Sequence, residues 1–209
     1  RHSSSAASDV YKRQIQDGGQ VVNVVPDYSK LWVRVRDTKR AGMKPVYERV
    51  VAMAEGAAIL ANVDYKVSLI SGIYEVLVNR TGGSVMQKNL ELLGSIDYTD
   101  EEINFAKEIQ ASTNKPQLGI DGTIKPMRET LENPGGGSTD VGDVSWNVPN
   151  INLGVTTAPV DTPWHSWAVV ACGGMSIGHK GTIYAAKAMA MTMSDLFKSD
   201  KLIKEITSE

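Results

Sequence analysis

The stretch Pro134-Gly135-Gly136-Gly137-Ser138-Thr139-Asp140-Val141-Gly142-Asp143-Val144-Ser145-Trp146 constrains this chain most. A proline followed by three glycines cannot be threaded through a helix or a strand. Proline lacks the N–H that either ladder needs, and glycine loses too much backbone freedom when ordered there. The chain must turn here, with bare backbone N–H groups able to face an anion. Pro-Gly-Gly-Gly alone would read as a flexible linker, but Thr139, Asp140, Asp143 and Trp146 follow at once and are not linker composition. Further on, Thr162-Pro163-Trp164-His165-Ser166-Trp167 sets one histidine between two tryptophans. Such a pattern predicts a dry, walled imidazole, useful in chemistry near neutral pH. The two stretches are read together as half of an active site.

The chain has 209 residues, 42% of them hydrophobic, enough for one large domain or two small ones. A formal charge of only -2 argues against an electrostatic binder of nucleic acid or of membrane surfaces. Cys172 is the single cysteine, which excludes an intramolecular disulfide and fits a reducing compartment. No apolar run reaches the ~18 residues of a membrane helix, and no secretory-type leader is visible. A soluble, cytoplasmic protein is expected, with no nucleic-acid or membrane partner.

Arg1 to Gln14 (RHSSSAASDVYKRQ) is rich in serine and alanine and has no periodicity, which predicts a disordered tail. Its wording also resembles translated sequencing-adapter text, so residues 1–14 are set aside from fold reasoning as artefactual. Asp17-Gly18-Gly19-Gln20 is a turn signal, and Pro26 confines Val21 to Asp27 to an edge strand or a strand start. Lys30 to Asp37 alternates apolar with basic residues, the mark of a half-buried strand. Met43, Val46, Tyr47, Val50, Val51, Ala54 and Ala58 recur with helical spacing. Tyr65 to Leu69 alternates again. Residues 15–78 thus predict strand, strand, helix, strand: an α+β layer too small to close a domain.

Asn79-Arg80-Thr81-Gly82-Gly83 reads as the domain boundary. Helices are predicted from about Ser84 to Leu93, closed by Gly94, and from the capping box Thr99-Asp100-Glu101-Glu102 to about Ser112. A short helix is predicted before Asn133, with strands near Asn150 to Thr156 and Ser166 to Cys172. The chain ends in a long helix from Ser176 to Lys198, with Ile177, Tyr184, Ala188 and Met191 on one stripe. There are no internal repeats.

Several familiar chemistries fail on their own terms. Gly173 to Gly178 has the glycine spacing of a P-loop, but His179 and Gly181 stand where lysine and a hydroxyl residue are required. With only His2, His165 and His179, and no HExxH pair or cysteine cluster, a complete metal site cannot be assembled from this chain. His179 reads as a packed or capped histidine. Ser138, His165 and Asp140 lack the G-x-S-x-G elbow of a hydrolase triad.

Three motifs carry a resemblance. Gly18-Gly19 with Asn23-Val24-Val25-Pro26-Asp27 and Arg36 resembles the lid-domain signature of the dinuclear-metal aminoacylase and carboxypeptidase superfamily. Gly136-Gly137-Ser138-Thr139-Asp140 and Trp164-His165-Ser166 resemble two signatures of the same superfamily's catalytic domain, in the same order. The similarity runs from Ile15 to the C-terminus. It implies a metal-dependent amidohydrolase, cleaving the amide bond of N-acyl amino acids with water activated by two divalent ions, zinc or manganese. By resemblance, His165 matches a metal ligand, and Gly137, Ser138 and Thr139 match the loop receiving the substrate carboxylate. Asp140 would hold that loop or a neighbouring ligand. Asn23 and Arg36 match lid residues that reach a substrate carboxylate, often across a dimer, whereas Arg34 reads as a solvated strand charge.

The resemblance implies an α/β protein with residues 15–78 as a partial, ferredoxin-like lid and dimerisation domain. Residues 79–209 would be the C-terminal segment of a mixed-sheet metallopeptidase domain. The superfamily's other metal ligands and its general-base glutamate match nothing here, so no catalytic residue is assigned. The expectation is a C-terminal fragment, inactive alone, whose parent pairs through the lid as a homodimer or with a related subunit. The competing expectations are a non-catalytic dimerisation module and a carboxylate-binding module that uses the glycine loop alone.

Overall fold

Residues 11–128 and 137–209 are described by the computed structural model, the side chains of Tyr11 and Lys12 excepted. The alternation from Lys30 produces strand β2 (Lys30–Val35). It pairs antiparallel with β1 (Tyr11–Asp17), in a register running from Tyr11 opposite Val35 to Ile15 opposite Leu31. Tyr11 to Gln14, set aside on sequence as disordered, therefore make up most of β1. A backbone ladder needs only a partner's N–H and C=O groups, and the exposed polar pair Arg13-Gln14 suits such a strand. Val21 to Asp27, expected as an edge strand, instead makes turns between the two strands, with the Val24 N–H donating to the Val21 carbonyl (3.3 Å).

Helix α1 (Arg40–Ala61) begins where the Asp37 carboxylate accepts the Lys39 N–H (3.0 Å). It ends on Asn62 in the left-handed conformation (φ 54). The seven residues expected on its apolar stripe are all buried or half-buried, while Met53, Ile59 and Leu60 face outward. The strand expected at Tyr65–Leu69 is not formed: this segment finds no ladder partner among the described residues, and Val67 and Leu69 are exposed.

By its internal contacts the chain divides into two units, 1–76 with 131–146 and 77–130 with 147–209. In the second, helix α2 (Arg80–Leu93) starts on Asn79, whose Oδ1 accepts the Gly82 N–H (2.7 Å). The Glu209 carboxylate takes the Arg80 and Thr81 N–H groups (2.9 and 2.8 Å), so three of the four orphan donors of this helix end are satisfied. The sequence's capping box forms as expected on α3 (Asp100–Ser112): the Glu102 carboxylate accepts the Thr99 N–H (2.8 Å) and Thr99 Oγ1 accepts the Glu102 N–H (3.3 Å). The helix expected before Asn133 falls largely on residues outside those described.

The apolar run expected as a strand at Ser166–Cys172 is helical. Short apolar runs are ambiguous in period, and here Ala168 and Cys172, four apart, turn the same face to the core. Residues 150–156, also expected as a strand, carry no regular structure among the described residues. The first unit contributes the single-turn helix α4 (Val141–Ser145), and the second contributes α5 (Trp167–Gly173), α6 (Ser176–Phe197) and α7 (Asp200–Ser208). Ile109, Ala168, Cys172 and Ile177 form the buried core of the second unit, with Tyr98, Phe105, Ile120 and Ala158 packed around them.

Helix α6 packs so closely on Thr156 that a Cβ on Gly181 would lie 2.4 Å from its carbonyl oxygen. Gly178, at the end of the P-loop-like spacing, also serves packing, since a Cβ there would lie 2.6 Å from the Cys172 carbonyl oxygen. Asn89, buried between α2 and α6, donates to Thr192 Oγ1 (3.1 Å) and to Asp195 Oδ2 (2.8 Å). The expected mixed α/β class holds: seven helices and one two-stranded antiparallel sheet among the described residues. None of those helices is long and apolar enough to cross a membrane.

Candidate functional site

The described part of the glycine loop, Gly137 to Asp140, is exposed, and among the described residues nothing lies within 4 Å of the position a Gly137 Cβ would take. What holds it in place is the segment after it. Thr139 Oγ1 accepts the Val141 N–H (3.3 Å), the Asp140 carbonyl accepts the Asp143 N–H (3.0 Å), and α4 starts there. The Asp140 side chain makes no capping bond, so within α4's first turn Thr139 supplies the side-chain acceptor.

Asp143, to which the sequence assigns no role, accepts the Tyr74 N–H (2.9 Å). Trp146 donates its Nε1–H to the Glu75 carbonyl (2.9 Å), and its ring lies 5.1 Å from that of Tyr74. Gly142 sits against the same backbone: a Cβ there would be 2.0 Å from the Tyr74 carbonyl oxygen. The loop is thus bolted to residues 74–75 by three residues, Gly142, Asp143 and Trp146, within six positions of itself. The Arg40 guanidinium, 4.3 Å above the Tyr74 ring, and the Arg40 backbone N–H, donating to the Glu75 carboxylate (2.9 Å), extend this anchor to α1. The hydrogen bond from Arg40, chiefly, lowers the Glu75 pKa.

Asn23 lies in the exposed turn between β1 and β2, and Arg36 is half-buried just beyond the end of β2. Arg34 is exposed on the strand itself. Asp37, directly after Arg36, directs its carboxylate to the Lys39 N–H and the Thr38 hydroxyl.

His165 belongs to the second unit and is exposed, as are Trp164 (74%) and Trp167 (58%). The dry, walled setting expected for it is not present in this unit, because both indoles point away from the core that Ala168 and Cys172 build. Its backbone is unusual: φ is +60, in the left-handed region that costs a non-glycine residue ~1–2 kcal/mol. Asp161, four residues earlier, has φ +59. The strained turn is tied internally, Thr162 Oγ1 donating to the Pro159 carbonyl (2.7 Å) and Ser166 Oγ to the Pro163 carbonyl (2.5 Å). Strain held in this way is commonest at functional positions. His179, by contrast, lies exposed on α6, where it lines a shallow open groove of about 420 Å³ with Lys180, Lys187 and Tyr184.

Among the described residues no group of three or more His, Cys, Asp or Glu side chains could hold a metal ion. His165 presents one imidazole, which cannot by itself make a site for zinc or manganese. These residues alone do not fit the dinuclear centre that the resemblance implies, and no chemical step is derived through one.

Among the described residues of the second unit, Glu102 carries a buried charge. Its carboxylate accepts Lys180 Nζ at 2.6 Å as well as the Thr99 N–H. Burial opposes its ionisation, but the hydrogen bonds from Lys180, Ser176 and Thr99 prevail and hold the carboxyl at about 2. Tyr98 is pushed up to about 12, first by burial and then by the charges of Glu102 and Asp121. These groups organise α3 against α6.

The mixed α/β architecture, the ordered series of three motifs and the exposed loop and histidine turn are consistent with the aminoacylase and carboxypeptidase superfamily. More particularly, the chain is homologous to a subunit of the p-aminobenzoyl-glutamate hydrolase of Escherichia coli (strain K12), as the wording of GGGSTDVGDVSW, TPWHSW and GHKGTIYAAKAMA suggests. The two are 32% identical over 216 aligned positions, which cover 92% of this chain and 45% of that protein. The chain thus spans less than half the length of the curated relative it matches. No protein-family profile matches it.

Proposed function

We propose that this chain is the carboxylate-receiving portion of a metal-dependent amidohydrolase that cleaves N-acyl amino acids such as p-aminobenzoyl-glutamate. The carrying observation is the glycine loop: exposed, open above Gly137, and yet fixed at its far end through Gly142, Asp143 and Trp146. Backbone N–H groups presented by a loop without Cβ crowding suit a carboxylate, which accepts charge-assisted hydrogen bonds. Homology to a hydrolase subunit along 92% of the chain supports the same reading. Gly137, Ser138 and Thr139 supply the donors, Asp140 steadies them, and Asn23 and Arg36 add a second contact from the lid. His165 is one ligand of a zinc or manganese centre whose other ligands and general base lie outside these residues.

Residues 15–78 act as a lid that pairs with a second copy or with a related subunit. The exposure of Leu31, Trp32, Ile59 and Leu60 supports such a partner, and the Escherichia coli relative is itself named as one subunit of its enzyme. The compartment we assign is the cytoplasm.

Titration of the isotope-labelled chain with glutamate and with p-aminobenzoyl-glutamate tests the loop directly. The amide resonances of Gly137, Ser138 and Thr139 should move with either ligand, and their silence would remove the carboxylate-receiving role. The chain alone should not turn over p-aminobenzoyl-glutamate. In a longer enzyme carrying this segment, His165→Ala should abolish turnover and leave the fold in place.

A further inference from the structure

A buried side chain lies at the root of the turn that carries His165. Gln110, near the C-terminal end of α3, is 0% exposed, although an amide side chain left unpaired there would cost several kcal/mol. Its Oε1 accepts the Gly119 N–H (2.7 Å), and its Nε2 donates to the Gly119 carbonyl (3.1 Å) and to the Val160 carbonyl (2.9 Å). The Val160 N–H in turn donates to the Gly119 carbonyl (3.3 Å). One side chain therefore locks two otherwise irregular segments together, and the second of them is the root of the turn that carries His165. Beyond Val160 the chain passes through Asp161 in the left-handed region, the Thr162 and Ser166 bonds, and His165. It is then caught again by the fully buried Ala168. The exposed histidine turn is thus clamped at one end by Gln110 and at the other by the core.

We propose that Gln110 is a positioning residue for His165: by holding Val160 it fixes the left-handed turn and so the place from which the imidazole is presented. The proposal rests on the reading of His165 as a functional group, and its physical content is tested without any measurement of activity. An apolar side chain of similar length at this position removes all three bonds. A glutamate there keeps the acceptor for the Gly119 N–H, but when ionised it turns a second negative oxygen toward the Gly119 and Val160 carbonyls. Burial raises the pKa of such a carboxyl. In acid, Gln110→Glu therefore restores a donor to the clamp, and it loses that donor as the pH rises.

The experiment follows backbone amides of the whole 209-residue chain by nuclear magnetic resonance in the native protein, Gln110→Met and Gln110→Glu. In Gln110→Met, the exchange of the Gly119 and Val160 N–H groups should quicken roughly tenfold, the loss of about one buried hydrogen bond. The shifts and the HN–Hα coupling of His165 should leave their left-handed values, and His179, in the same unit on α6, should keep its own. In Gln110→Glu, the native His165 backbone signature should return in acid and vanish as the glutamate ionises. A fold defect alone would move His165 and His179 together and would not be rescued in acid. That result, or a His165 coupling unchanged in Gln110→Met, overturns the proposal. Retention of turnover by His165→Ala in the longer enzyme would instead overturn the functional reading of His165 and leave the clamp standing.

Discussion

Replacement of Glu102 by glutamine tests the electrostatic joint between α3 and α6. The carboxyl titrates at about 2 in the folded chain against an ordinary 4.5, which corresponds to about 3 kcal/mol of stability at neutral pH. Glutamine keeps the capping-box bond to the Thr99 N–H, and Lys180, 37% exposed, regains water and keeps the Asp97 carbonyl. The net cost of Glu102→Gln should therefore be about 2 kcal/mol, below the roughly 3–5 typical of a fully buried pair that loses one partner. The sign follows from the depressed pKa. The contribution is complete above the unfolded value of 4.5 and is lost as the pH falls through the folded value of about 2. Urea denaturation, followed through the buried Ala106 methyl of α3, should show the full difference between the two proteins at pH 7. The difference should shrink below about pH 4.5, vanish near about pH 3 and reverse by roughly 1 kcal/mol at about pH 2, because the titrating contribution exceeds the net difference. A difference that stays constant over this range, or that is under about 0.5 kcal/mol at pH 7, would refute the ion-pair argument.

Gly142→Ala drives a methyl to 2.0 Å from the Tyr74 carbonyl oxygen. It should detach the loop from residues 74–75 at a cost of about 1–3 kcal/mol, seen as faster proteolysis between Gly137 and Trp146. Asn79→Ala removes the N-cap of α2 and the bond to the Ile206 carbonyl (2.8 Å), which should destabilise the second unit by about 1–2 kcal/mol in thermal melts. Cys172 is fully buried and its thiol pKa is raised by that burial. A thiol reagent should react with it only at the rate of unfolding, and fast labelling of the native chain would contradict the core described here. His165→Gly relieves a left-handed strain of ~1–2 kcal/mol at an entropic cost of ~0.5–1. The second unit should become about 0.5–1 kcal/mol more stable by calorimetry, and a loss of stability would mean that the imidazole itself supports the fold.

Helices were the legible part of this sequence. The Thr99 capping box, the stripe from Met43 to Ala58 and the Gly94 stop each combine period with end chemistry, and each formed as expected. Strands were not, because a strand exists only with a partner. Tyr65–Leu69 has the alternation and no ladder, whereas Tyr11–Gln14 has little pattern and pairs with β2. Ser166–Cys172 failed for a different reason: a short apolar run reads equally as either period, and the core position of Ala168 and Cys172 settles it. In the candidate site, Gly137 to Asp140 and His165 were visible as unusual residues. Their supports were not, since Gln110 and Asp143 act through backbone groups that lie 50 and 69 positions away in sequence.

That division has a physical basis that bears on His165. A residue that faces a ligand is selected for its own chemistry and stands out by type. A residue that places it is selected for reach and burial, and a glutamine in a helix looks like any surface glutamine until its neighbours are known. His165 itself carries a conformation that glycine would hold more cheaply, on a turn whose internal bonds and buried root oppose its relaxation. If the turn served the fold alone, glycine, which adopts the left-handed region without a Cβ clash, would suit position 165 better than histidine. A strained, exposed imidazole held from below by Gln110 is what a site would require, if it must present one nitrogen at a fixed place to groups that come from elsewhere in a larger protein.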